Sequence, residues 1–393
     1  MAKAKRAIDE LLRIDMRETY RHTFFADWEG LDLSAQHRFV PADDPDTVRM
    51  SFTHPHRPYP TQAQTVIDSH DGGETWEYNR EWHPPCDRGL FIAGRYRIAL
   101  CGSCEAHIST DDGHHWTSRR IEGADEKHFD GLGEPQCFSA IMQRRGIHSG
   151  RIVQVASYFT GQEGPDGELV ASNWTDDWGQ TWNCGRLFAP PDPLPSGPEG
   201  FGEPAVVELP SGWLWMVFRS LYGELWQCLS RDGGTTWSHP SPTGFVSPIA
   251  NCYAMREPTT GATVLCWNAA QPGESLKFHD THSLYRPRTN LVFSVSHDNT
   301  RTWTVPVVVE AGNGQYPTIH FAAGRMFIMY QRSPDGPKTP WHEMGLTLAA
   351  YDTEDVLNLP DWTTETIKPW IDRGLIRHWR ALSCQPASRE TIS

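Results

Sequence analysis

The sequence predicts an all-β chain folded as a six-bladed β-propeller with a repeated hairpin corner and a short N-terminal helix. Three observations carry this. One eight-residue pattern, [ST]-x-D-x-[GT]-x-x-W, recurs five times, at Ser69–Trp76, Ser109–Trp116, Thr175–Trp182, Ser230–Trp237 and Ser296–Trp303. The closing tryptophans, 76, 116, 182, 237 and 303, stand 40, 66, 55 and 66 residues apart. A four-stranded sheet with its turns occupies that length, which is the blade of a propeller. Finally, 33 glycines and 30 prolines are scattered along the chain and supply many turns.

Each repeat follows a short β-prone run: Gln64–Asp68 precedes the first box and Leu291–Val295 the last. In the box, Asp accepts from backbone N–H groups just ahead, and Gly takes positive φ without a Cβ penalty. The Trp folds back under the turn, buries a large apolar area and needs a partner for its N–H. A degenerate sixth unit is expected at Ala350-Tyr351-Asp352-Thr353, running on to Trp362. Before the first box, His37–Pro41 and Thr47–Phe52 read as the opening strands. At the N-terminus, residues 3–14 place Ile8, Leu11, Leu12 and Ile14 among charged residues, as in a short amphipathic helix. The domain reading is therefore residues 1–34 as helix and lead-in, 35–370 as propeller, and 371–393 as a tail packing on it.

A formal net charge of −14 argues against a nucleic-acid partner, because no basic stripe is present to neutralise phosphates. A local arginine cluster can still focus positive potential on an acidic ligand. The nine cysteines show no regular spacing. Cys101-Gly102-Ser103-Cys104 has the CxxC form, but no second pair completes a metal site, so neither metal nor cofactor is expected. No apolar run reaches the roughly 18 residues of a membrane span, and no leader is evident. A cytoplasmic, membrane-free protein of unknown oligomeric state is expected; a secreted protein shorn of its leader would read the same.

The five boxes resemble the Asp-box (BNR) repeats of the sialidase superfamily, and the resemblance extends over roughly residues 35 to 365. It implies a six-bladed propeller with a pocket lined by the inner strands. It also implies an arginine triad for a substrate carboxylate, a tyrosine nucleophile, a glutamate base and an aspartate acid. By this resemblance the first arginine is Arg38, in Arg38-Phe39-Val40-Pro41, or alternatively Arg57. Asp87, the carboxylate of Pro84–Gly89 between the first two boxes, corresponds to the acid; a solvated turn aspartate is the competing reading.

Two Glu-Pro pairs, Glu134-Pro135 and Glu203-Pro204, open inner strands that face the pocket. Glu134 is assigned to substrate binding, although Gly-x-Gly-Glu-Pro can equally be the way a blade begins. From Glu203 to Arg219 is 16 residues, one hairpin, which sets the two side by side at the same ends of antiparallel strands. That arrangement suits either a site or a buried structural pair. Arg288, or its neighbour Arg286, resembles the third triad arginine. Tyr316 stands where the nucleophile is expected, followed by Pro317 rather than serine. By strand alternation His320 shares the face of Tyr316, as a wall residue or substrate contact.

The expected chemistry is a glycoside hydrolase acting on an acidic, carboxylate-bearing sugar. A carboxylate on the anomeric carbon repels a carboxylate nucleophile, whereas a tyrosine is neutral until a base takes its proton. In this scheme Glu203 activates Tyr316, the arginines clamp the carboxylate through charge-assisted hydrogen bonds, and Asp87 protonates the leaving oxygen. The partner expected is an acidic oligosaccharide. Two alternatives stand beside it: a polysaccharide lyase acting on a uronate, and a non-catalytic carbohydrate-binding propeller.

Overall fold

Short apolar runs separated by turn residues form 23 strands among the described residues of a computed structural model, which covers residues 18–24, 37–53, 64–79, 85, 89–93, 95–100, 105–120, 136–159, 168–185, 200–270, 288–333 and 345–377. Four sheets are four-stranded meanders. These are β2–β5 (His37–Val40, Val48–Thr53, Gln64–Ser69, Glu77–Tyr78) and β6–β9 (Gly89–Ala93, Tyr96–Leu100, Glu105–Ser109, Thr117–Arg120). The others are β10–β13 (Gln136–Met142, Ile152–Phe159, Glu168–Thr175, Asn183–Cys184) and β14–β17 (Phe201–Glu208, Leu214–Ser220, Glu224–Ser230, Ser241–Val246).

A fifth sheet has seven strands in the order β1-β23-β22-β21-β20-β19-β18 and contains two such units. Its strands are β18 (Tyr253–Arg256), β19 (Thr263–Asn268), β20 (Thr289–Ser296), β21 (Val307–Ala322), β22 (Arg325–Ser333), β23 (Gly345–Asp352) and β1 (Glu18–Phe24). The long β21 changes partner midway, pairing with β20 through Val307–Asn313 and with β22 through Asn313–Ala322. It is thus the outer strand of a fifth blade and the inner strand of a sixth. The N-terminal β1 completes the sixth blade against β23, so part of the expected lead-in belongs to the propeller. The expected helix over 3–14 lies outside the described residues.

Apolar side chains pack between neighbouring blades around the whole ring. Val40 meets Ala99; Ile98 and Leu100 meet Ile152; Val153 and Val170 meet Val206 and Met216. Val207 and Trp215 meet Leu265 and Trp267, Cys266 and Phe293 meet Ile319 and Ile328, and Phe327 and Met329 return to Val48 and Met50. Six interfaces for six blades close the circle.

The boxes link the third and fourth strands of blades one to five. In the fourth, Ser230 Oγ donates to Asp232 Oδ1 at 2.9 Å and accepts from Gly234 N at 2.8 Å. Asp232 accepts from Thr236 N and Oγ1 at 2.8 and 2.6 Å, and Trp237 Nε1 donates to Gly234 O at 3.1 Å. Equivalent serine or threonine to aspartate bonds close the other four. Where the fourth box has Gly233 and Gly234 at φ 68 and 84, the fifth holds Asn299 and Thr300 at φ 63 and 62.

The expected sixth box is absent from its place. Asp352 instead accepts from Glu354 N at 2.9 Å and caps helix α1 (Thr353–Leu357), because no turn glycine follows it. Trp362 packs at the core between blades four and five. Helix α2 (Thr364–Asp372) buries Ile367 and Trp370 in that same core. Beyond it, Leu375 O accepts from Val246 N at 3.2 Å and Arg377 N donates to Gly244 O at 2.8 Å. The C-terminal segment therefore packs on the propeller as far as it is described.

Candidate functional site

Four residues singled out from the sequence meet near the starts of the inner strands. Gly202 pairs with Arg219 across β14 and β15, which sets Glu203 beside that arginine. Arg219 Nη1 lies 3.0 Å from Glu203 Oε2. From the fifth blade, Arg288 immediately precedes β20, and its carbonyl accepts from Gly314 N at 3.0 Å, two residues ahead of Tyr316. The Arg288 guanidinium carbon consequently sits 5.1 Å from the centre of the Tyr316 ring. Glu203, Arg219 and Arg288 are all buried, while Tyr316 keeps partial exposure.

Backbone geometry explains how these side chains are aimed. The β14–β15 register slips between Gly202 and Ala205, and the β21–β22 register slips between Gln315 and Thr318. Glu203 and Tyr316 occupy these bulges at φ 47 and 53, in the left-handed region that non-glycine residues seldom adopt. Each is followed by proline. A bulge inserts one residue and re-aims a side chain, so both residues leave the pattern of their strands at the same point of the blade.

The surrounding groups were not visible in the sequence. Glu168, at the start of β12 and fully buried, accepts from Arg219 Nη2 at 3.0 Å, so one guanidinium bridges two carboxylates. Gly202 is required by this arrangement, because an added Cβ would overlap the Glu168 carboxylate. Ser157 Oγ accepts from Glu203 N at 2.7 Å. Arg288 donates to Gln315 Oε1 at 2.9 Å and to Ile249 O at 3.1 Å. Asn268 Nδ2 donates to Gly314 O at 2.7 Å and braces the approach to Tyr316. These residues come from other blades or act through backbone atoms, and a charged residue in the apolar run of β12 was the one available signal.

Tyr316 gathers these charges. Burial pushes its phenol pKa above the ordinary value and the Glu203 carboxylate adds to the rise, while Arg288 and Arg219 oppose both. Cys252, wholly buried nearby, has its thiol pushed far up by burial and then by the Glu203 charge. Two carboxyl side chains, Glu168 and Glu203, thus stand beside two guanidinium side chains, Arg219 and Arg288. Chemically, the set offers a carboxylate base, two cations and a shielded phenol.

The other expected residues are placed differently. His320 stacks on Phe39 with ring centroids 5.2 Å apart, in the wall between the sixth and first blades. The extra bulge residue reverses alternation after Tyr316, so the shared face expected from spacing is not kept. Burial there lowers the His320 pKa to about 4 by disfavouring the charged ring. Arg38 pairs with Ser51 across β2 and β3, and its side chain is outside the described part of the structure, as are Arg57, Asp87 and Glu134. Cys101 and Cys104 also lie outside. Among the described residues no cluster of histidine, cysteine or carboxylate groups suits a metal, and no helix is long and apolar enough to cross a membrane.

A family model described as a BNR repeat-like domain matches residues 96–328, more than half of the chain. The chain belongs to the BNR repeat-like family. Among solved structures, the BNR chain is similar to a Dyadobacter fermentans protein described as of unknown function, at 16% identity and a TM-score of 0.57, covering 86% of this chain and 100% of that one. It is also similar to Trypanosoma rangeli sialidase, at 14% identity and TM-score 0.53, covering 84% of this chain and 58% of that one. A Streptococcus pneumoniae NanB sialidase variant matches at 13% identity and TM-score 0.53, over 88% and 73% of the two chains. The BNR chain thus spans under two thirds of the trypanosomal enzyme, and identities this low establish a shared propeller fold. A search among curated proteins gave no match.

Proposed function

We propose that this BNR protein is a sialidase-like glycoside hydrolase acting on an acidic sugar, with Tyr316 as nucleophile and Glu203 as its base. The observation that carries the proposal is the convergence of Glu203, Arg219 and Arg288 on the Tyr316 phenol. In the first step the phenolic proton passes to Glu203, the phenolate oxygen bonds to the anomeric carbon, and the glycosidic C–O bond breaks. An acid, assigned to Asp87, gives its proton to the departing oxygen. Water then attacks the anomeric carbon and gives a proton to Asp87 as the tyrosyl C–O bond breaks, and Glu203 returns its proton to the phenolate.

Burial that raises the phenol pKa also strengthens the resulting oxyanion as a nucleophile, and Arg288 and Arg219 hold the charge that develops on it. Arg288 is assigned to the substrate carboxylate, with Arg219 fixing Glu203. The likeness of fold to sialidases supports the substrate class.

Fluorogenic α-sialosides and β-uronides test this directly. Turnover of one of them, lost by about a thousandfold or more in Tyr316→Phe and Glu203→Gln, is the expected outcome. A fluorinated analogue of the cleaved sugar should leave a covalent adduct on Tyr316, detected by peptide mass. Wild-type rates in Tyr316→Phe would sink the assignment.

A further inference from the structure

At the far end of the inner strands lies a cavity of about 630 Å³, a size that holds a small organic ligand. It is lined by residues of four inner strands, among them Ile92, Met142, Glu208 and Arg256, and by Pro41–Asp43 just beyond β2. Glu203 opens β14 and Glu208 ends it, so about 17 Å of strand separates the two sites.

Its polar groups are unevenly satisfied. The Glu208 carboxylate is buried and accepts from Arg145 N at 2.8 Å and from Arg144 N at 3.0 and 3.1 Å, which spends it on the β10–β11 turn. Asp43 on the rim is matched by Arg97 at 2.9 Å. Arg145 turns away and donates to Pro210 O at 2.6 Å. The Arg144 and Arg256 side chains remain facing the cavity. Among the described residues the exposed Arg144 guanidinium has no acceptor, and Arg256 reaches only Glu208, at 3.4 Å, with its buried Nε unpartnered. Burial and the nearby charges of Arg145 and Arg144 lower the Arg256 pKa, the expected result of crowding cations without a full anion. The walls are apolar: Ile92, Ile141, Met142 and Met255 keep partial exposure here although their partners on the next strand, Arg97, Val153, Ile152 and Val264, are buried.

We propose that this cavity binds a small amphipathic anion, its acid group bridging Arg144 and Arg256 and its apolar body lying against Met142, Met255 and Ile141. The two guanidiniums supply charge-assisted bonds in a partly desolvated setting, and the apolar walls reward an aromatic or branched body. The site is independent of the chemistry at Tyr316 and stands whether or not that chemistry is hydrolysis.

Fluorescence titration of the full chain with 8-anilinonaphthalene-1-sulfonate tests it, with the uncharged N-phenyl-1-naphthylamine as comparison. Saturable one-to-one binding of the anion is expected, weakened about tenfold or more by Arg144→Gln and by Arg256→Gln, and lost when Met142→Trp fills the cavity. Binding of the neutral probe should be weaker and indifferent to both arginine changes, and Tyr316→Phe should leave both probes unaffected. Thermal melts verify folding, and Arg144, being exposed, gives a variant that folds even where Arg256→Gln does not. The proposal is overturned by absence of saturable binding, by anion binding that both arginine variants leave unchanged, or by binding that survives Met142→Trp.

Discussion

Gly202→Ala offers the sharpest test of how the candidate site is held. Gly202 lies outside the left-handed region, so alanine is acceptable to the backbone and its whole cost must come from contact. The added Cβ would occupy the place of the Glu168 carboxylate, which must then leave Arg219 Nη2, now 3.0 Å away. Overpacking in a buried site costs about 1–3 kcal/mol. Loss of one charge-assisted bond costs about 1.5–3 kcal/mol more. A destabilisation of about 3–5 kcal/mol follows, a large part of the roughly 5–15 kcal/mol that holds a typical domain. In Glu168→Ala, Arg219 keeps Glu203 at 3.0 Å and is not stripped of every anion. That variant should lose about 2–4 kcal/mol, short of the full cost of an unpaired buried charge. With Glu168 gone, Gly202→Ala should add no more than about 1 kcal/mol, because nothing is left to displace. Urea unfolding of the four proteins should therefore give a coupling of about 2–4 kcal/mol, the double variant being more stable than the sum of its parts. Additivity within about 0.5 kcal/mol would refute the account of Gly202.

Thr300→Gly should stabilise the protein by about 0.5–1 kcal/mol, since a β-branched residue at φ 62 occupies a place that is glycine in the other four boxes; a lower urea midpoint would contradict this. His320, at about 4, is held neutral below its ordinary 6.5, so the unfolded chain binds the proton more readily. Its contribution is complete above pH 6.5 and is lost as pH falls from there to about 4; His320→Phe should flatten that stretch of the stability–pH curve. The box aspartates Asp71, Asp111, Asp177 and Asp232 are held below the usual carboxylate range. Burial opposes this depression, strongly in Asp177 and Asp232, and bonds from hydroxyl, backbone or imidazole donors prevail. Their contribution is present above about pH 4 and fades as pH falls further, so Asp232→Asn should reduce the acid slope. Gln315→Leu removes the Arg288 acceptor at 2.9 Å and should raise KM for an anionic substrate about tenfold while changing kcat less; an equal loss in both would place Arg288 in the chemistry itself.

The propeller was legible because its boxes are local: the Ser230, Asp232, Gly234 and Trp237 bonds all close within eight residues, so spacing alone records them. The Glu203–Arg219 pair was legible for a similar reason, since a hairpin converts 16 residues of separation into adjacency. Glu168 was not, because its contact with Arg219 crosses between blades three and four and leaves no periodic mark. Nor was β1, whose partner β23 lies more than 300 residues along the chain. His320 was misplaced through counting by twos across a bulge, where one additional residue exchanges the faces. Asp352 had the residue type of a box but not the glycine and tryptophan at the required offsets, and it caps a helix instead.

The two bulges show why the candidate site is placed where it is. A regular inner strand would alternate its side chains between the two neighbouring blades. Left-handed backbone at Glu203 and Tyr316 breaks that alternation at a cost on the order of 1–2 kcal/mol each. The strain persists because it is over-determined. Ser157 bonds the Glu203 amide, Asn268 bonds the Gly314 carbonyl, the Arg288 carbonyl bonds the Gly314 amide, and a proline follows each strained residue. Strain held by so many partners is not released when a ligand leaves. The carboxylate and the phenol are therefore set in place before any substrate arrives, and binding energy is not consumed in assembling them.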